Sequence, residues 1–245
     1  MAGHSHSANI AVRKNAQDKV RAKLFTKLMK EIYVAIKLGG PEPENNAKLR
    51  AAIARAKAQS VPKDKIQKAL NKNNDDTVYE DVTMEGYGPG GVAVLARCLT
   101  DNRNRTAADV RHAFSKHGGN LGTSGCVGYL FQRRGVIEIT GGDEDEVMMT
   151  SLDAGAEDIV ARDGGFDVFT TPDDFDDCLK ALQEGEIAVG NAEVTMMPDT
   201  QAALSGSLAQ QFLRMLELLN DCDDVQQVYH NAVLSASDIE AFANS

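Results

Sequence analysis

The chain has no tryptophan, and its few phenylalanines and tyrosines make up only 5% of it, so its cores must be built mainly from aliphatic side chains. Its four cysteines, Cys98, Cys126, Cys178 and Cys222, stand at least 28 residues apart. That spacing excludes a CxxC knuckle or redox pair and suits a reducing compartment; all four read as small core residues. No run approaches the roughly eighteen apolar residues of a membrane span. The opening Met1-Ala2-Gly3-His4-Ser5 also lacks the charged-then-apolar design of a secretory leader, so a cytoplasmic protein without membrane attachment is expected. Walker lysine, GxSxG and HExxH motifs are absent, and no arrangement of Ser, His, Asp or Cys singles out a nucleophile. The sequence therefore points away from an enzyme, and no catalytic residue, metal or cofactor is assigned.

Positive charge is scarce in one part only. Residues 135–245 hold 3 Lys and Arg against 24 Asp and Glu, whereas residues 1–74 hold 16 against 5 and residues 75–134 hold 7 of each. The net charge of −10 thus averages a basic first part and a strongly acidic last part. Such asymmetry is expected where one part meets polyanions and another repels them, or where the acidic part meets a basic protein partner.

The basic part reads as helical. Between Asp18 and Leu38, Leu24, Phe25, Leu28, Met29, Ile32 and Ile36 recur at three- and four-residue spacing, and Gly39-Gly40-Pro41 stops the helix. An alanine-rich helix follows from about Asn45 to Gln59, and a third opens at Pro62 and runs to about Lys72. At 100° per residue, Lys19, Lys23, Lys27, Lys30 and Lys37 fall within about 80° of one another, opposite the apolar set. Lys65, Lys68 and Lys72 make a similar stripe on the third helix. Ahead of the first helix, Met1 to Lys14 reads as a polar arm ending in Arg13-Lys14 that orders on its partner. Phosphates require little more than well-placed cations, so these stripes predict a nucleic-acid grip without naming the sequence or the sugar.

Past a polar linker the pattern mixes strands and helices. Val92–Leu99 reads as a strand, Thr106–His117 as a helix with Thr106 and Asp109 set like a capping box, and Cys126–Phe131 as another strand. Strand Val136–Ile139, helix Glu144–Ala154, strands near 158–161 and 167–170, helix Pro172–Gln183 and strand Ala192–Met197 spell βαββαβ, the ferredoxin-like order. A helix near Leu208–Leu219 and a strand Val225–Tyr229 then complete the unit interrupted at residue 134. The expected fold is α+β and multidomain, a three-helix bundle plus two α+β, ferredoxin-like domains, one inserted in the other. Its parts are residues 1–76, residues 77–134 with 201–245, and the acidic insertion 135–200.

A second basic cluster surrounds the 106–117 helix, with Arg103 and Arg105 ahead of it and Arg111 and Lys116 along it. Backbone amides at the helix start beside two arginines suit a phosphate. His112 and His117, five apart, do not share a face as metal ligands. The run Gly86-Tyr87-Gly88-Pro89-Gly90-Gly91 precedes a strand instead of linking strand to helix, and reads as a turn. The acidic clusters Asp143–Glu146 and Asp173–Asp177 sit at helix starts, where the dipole favours them, with Thr171-Pro172 as cap and first-turn proline.

The opening Met1–Ser5, Phe25-Thr26-Lys27-Leu28, Glu85–Gly91, Leu99–Thr106, Arg111–Lys116, Gly118–Gly122 and Asp223–Asn231 together resemble the YebC family, across essentially the whole chain. The resemblance implies a cytoplasmic protein with an N-terminal helical bundle and two α+β domains, acting as a DNA-binding transcriptional regulator. It also offers an alternative, a ribosome-associated translation factor binding ribosomal RNA, since one relative is the mitochondrial translational activator of a cytochrome oxidase subunit.

Overall fold

A computed structural model describes the backbone of residues 4–71, 78–162 and 164–243, and the side chains of 22–71, 78–162 and 164–242. The chain opens with a long helix, α1 (His4–Gly39), so the backbone of the expected arm from residue 4 onward is helical. Gly40 takes a left-handed φ of 87° and donates its N–H to Ile36 O at 2.8 Å, the chain reversal the glycine pair foretold. Helix α2 (Ala47–Ala58) is capped by Asn46, whose side chain accepts from Leu49 N and donates to Ala35 O at 2.7 Å. That one buried residue starts α2 and ties it to α1. Helix α3 (Lys63–Asn71) begins just after Pro62. Leu28, Ile32, Ala35, Leu49, Ile53, Ala56 and Ile66 close a common core.

Strands β1 (Glu80–Tyr87) and β2 (Ala93–Thr100) form an antiparallel hairpin. The glycine run makes its turn, a single 3-10 turn over Pro89–Gly91 in which Gly90 and Gly91 take φ 73° and 78°. Helix α4 (Arg103–Lys116) starts three residues before the expected point. Its cap is Asn102, which accepts from Arg105 N at 3.1 Å, while Thr106 is buried inside the helix. The capping box at Thr106 and Asp109 is thereby corrected, because an Asn with extended backbone stood earlier in the chain. After β3 (Asn120–Leu121) the expected strand at 126–131 is mostly a 3-10 turn over Gly128–Leu130, and β4 (Phe131–Ile139) starts only at its end.

The chain then runs through α5 (Glu144–Asp153), β5 (Ala156–Arg162), β6 (Gly165–Thr170), α6 (Phe175–Glu184), β7 (Val189–Pro198) and β8 (Ala202–Leu204). Helix α6 begins three residues after Pro172; the Thr171 hydroxyl accepts from Asp174 N at 3.1 Å and Asp174 takes the cap position. The four-stranded sheet has the order β5-β6-β4-β7, with antiparallel pairing of β4 with β6, β4 with β7 and β5 with β6. Its helix-covered face buries Ile137, Ile139, Val147, Val168, Cys178 and Leu182.

Helix α7 (Gly206–Asp221) and β9 (Val225–His230) return to the first sheet, whose order is β3-β1-β2-β9. Strand β10 (Ala232–Leu234) pairs with β8, and α8 (Ala236–Ala243) is the last described element. Phe114, Val110, Phe212, Met215, Leu219 and Val225 are fully buried around the first sheet. Two compact units result: Met1–Cys126 with Leu204–Val228 and Leu234–Ser245, and Val127–Ala203 with Tyr229–Val233.

Candidate nucleic-acid interface

The lysine face of α1 meets the C-terminal end of α7 and the turn leading into β9. Lys23 Nζ lies 2.8 Å from Asp221 Oδ1, and Lys27 Nζ donates to Asn220 O at 2.7 Å. Lys30 Nζ donates to Asp224 Oδ1 at 2.8 Å and to Leu99 O at 3.1 Å. The last carbonyls of a helix lack partners within it and carry the negative end of its dipole, so they attract ammonium groups. Burial holds the Lys27 ammonium below its usual pKa, whereas the hydrogen bond to Asp221 raises that of Lys23.

Asp224 is the centre of this contact. Its carboxylate accepts from Lys30, from Arg105 Nη2 at 2.7 Å, from Thr106 Oγ1 at 2.7 Å and, at 3.4 Å, from Thr100 Oγ1. Burial alone would raise its pKa, but the donors from Lys30, Arg105 and Thr106 outweigh it and bring the group down to about 2. Arg105 also pairs with Asp101 at 2.7 Å. Lys30 is only 11% exposed at its side chain. Lys30 and Arg105, both expected to face phosphate, are therefore bound into the fold. The amides at the start of α4 are likewise partly answered, since Asn102 takes Arg105 N.

Other expected cations face outward. Arg103, Arg111 and Lys116 on α4 are exposed, and none forms an ion pair among the described residues. Lys65 lies 5.8 Å above the Phe25 ring, with Lys68 exposed one turn on, and Lys37 is exposed in the last turn of α1. The side chains of Arg13, Lys14 and Lys19, and all of Lys72, lie outside the described residues.

The fold also recruits cations that the sequence did not single out. Exposed Arg214 on α7 contributes, with Lys116 and His112, to the positive surroundings of His117 at the end of α4; burial first, then these charges, hold the His117 imidazolium below its usual pKa. Among residues 135–245 the other two cations are paired, Arg162 with Asp167 at 2.8 Å and Lys180 with Glu184 at 3.7 Å. A lone arginine among the acidic residues of 201–245 was the available signal for Arg214. Lys63, exposed at the start of α3, is a further addition.

Asp143 Oδ1 accepts from Glu146 N at 3.1 Å and so caps α5. Cys98 and Cys178 are buried, and burial pushes the Cys98 thiol up to about 12, far from thiolate reactivity. Cys126 and Cys222 are half-buried.

These features define a class: a mixed α+β protein with antiparallel sheets, whose basic helical segment is bound through ion pairs to the end of α7 and the turn into β9. The chain belongs to the TACO1/YebC family, since residues 5–76 match the TACO1/YebC protein N-terminal domain and residues 79–232 its second and third domain. It is 50% identical over 238 residues to a "Probable transcriptional regulatory protein" of Geobacillus thermodenitrificans, covering 94% of this chain and 96% of that one. A protein of Salmonella arizonae with the same description, called YebC, is 48% identical over 239 residues, covering 96% and 97%. The crystal structure of a conserved hypothetical protein from Aquifex aeolicus aligns with a TM-score of 0.75 at 41% identity, covering 88% of this chain and 91% of that one.

Proposed function

We propose that this protein is a non-enzymatic, DNA-binding regulator of transcription that grips phosphates with Lys63, Lys65 and Lys68 of α3 and Arg103, Arg111, Lys116 and Arg214 of α4 and α7. One observation carries the reading. These cations are exposed and lack acidic partners among the described residues, in a chain whose net charge is −10 and whose other cations are so often paired. An acidic protein gains little from keeping such groups apart from its carboxylates unless a polyanion meets them. The relatives described as transcriptional regulators support the same reading. On it the protein works in the cytoplasm without a cofactor, as three domains: helices 1–76, a split α+β sheet 77–134 with 201–245, and the nested ferredoxin-like insertion 135–200.

The test is fluorescence anisotropy of labelled duplex DNA and of a ribosomal RNA fragment at equal salt. Replacing Lys65, Lys68, Arg111 and Lys116 by Gln should weaken DNA binding by at least about tenfold, since each lost phosphate contact lowers the salt slope by about one. Unchanged affinity would remove these residues from the interface. Tighter binding of the RNA would move the site of action to the ribosome.

A further inference from the structure

The geometry points to a second binding surface of opposite character, on the outer face of α5. We infer that this face docks a basic amphipathic helix of another protein. Helix α5 turns Val147 and Ser151 inward, both fully buried. Its outward positions carry Met148, Met149 and Leu152, exposed by 39%, 68% and 53%. Met148 and Leu152 are four residues apart, hence neighbours along the helix, and Met149 lies beside them. Apolar residues scattered singly on a surface need no explanation, but three contiguous ones on a ten-residue helix form a patch. Methionine is unbranched and polarizable, which suits surfaces that must mould to a partner's side chains.

The surroundings name the partner's charge. Glu144, Asp145, Glu146 and Asp153 are exposed on the same helix, and residues 135–200 carry 18 acidic residues against only Arg162 and Lys180. Both of those cations are already held by Asp167 and Glu184. Nucleic acid is repelled by such a surface, whereas a helix with Leu on one face and Lys or Arg on the flanks matches both its apolar centre and its acidic rim. The chain's own described basic helices do not qualify as that ligand. Their apolar faces, through Leu28, Ile32, Leu49, Ile53 and Ile66, are closed in the helical core.

The full-length protein is titrated against a fluorescein-labelled 18-residue peptide of Leu and Lys patterned at helical spacing, and against a scrambled peptide of identical composition. The patterned peptide should bind at least tenfold tighter. Replacing Met148, Met149 and Leu152 by Ser should abolish that preference; the single exposed Met149→Ser, with an unchanged melting curve, should lower it several-fold. Equal affinity for the two peptides, or a preference untouched by both variants, would overturn the inference. So would sedimentation velocity showing that wild type self-associates while the triple variant stays monomeric, because the occupant would then be a second copy.

Discussion

Asp224 shows how much one residue can organise. It follows the end of α7 by a few residues, yet its carboxylate collects donors from α1, β2 and α4. A buried charge with several donors is costly to unpair, because removing it strands Lys30 in a site with little water. Asp224→Ala should therefore lower stability by roughly 3–5 kcal/mol in urea denaturation. The pH dependence has a definite sign. A carboxylate held at about 2 in the fold, against 3.8 ordinarily, stabilises the folded state above the ordinary value. That contribution, about 2 kcal/mol, fades as pH falls from 4 to 2. Melting curves across this range should show the loss in wild type and its absence in Asp224→Asn; equal acid sensitivity of the two would refute the assignment.

At the scale of elements, the lysine stripe of α1 divides into two kinds of residue. Lys30 is buried against Asp224, while Lys23 is 43% exposed opposite an Asp221 that is 61% exposed. An exposed pair contributes little to stability, of order 0–1 kcal/mol, so Asp221→Asn should leave the melting temperature nearly unchanged. Freed of its partner, Lys23 becomes available to phosphate, and the salt slope of DNA binding should rise by about one. Lys30→Gln should do the reverse, lowering stability by roughly 3 kcal/mol with the slope unaltered. The two outcomes are read from the same pair of measurements, thermal melts and anisotropy against salt. A slope that moves with Lys30 instead of Asp221 would invert the assignment.

Across the whole molecule, charge is sorted by place instead of being balanced locally. With roughly six phosphate contacts, affinity for DNA should fall about a thousandfold between 50 and 200 mM salt despite the net charge of −10, because only the nearby cations release counterions. Anisotropy titrations at four salt concentrations measure the slope, and a flat response would sink the electrostatic account. The acidic insertion is expected to take no part in that slope, since its two cations are paired within it.

The amphipathic period of α1, its glycine stop, the alanine-rich α2 and the strand-helix order from β4 to β7 could all be read from the chain, because each is written in residues a few positions apart. So could the lysine stripe and the charge asymmetry. Short polar strands such as β3 and the true cap of α4 could not, since Asn102 and Thr106 are both plausible caps until burial of Thr106 decides between them. What became of the stripe was a tertiary matter. Asp221, Asn220 and Asp224, which hold Lys23, Lys27 and Lys30, lie 193 to 198 residues away at the end of α7 and in the turn after it, and only the return of the chain to the first sheet brings them together. Sequence determined where positive charge stands; the fold determined which of it is neutralised and which still faces the solvent, because an ion pair depends on distance in space and not along the chain.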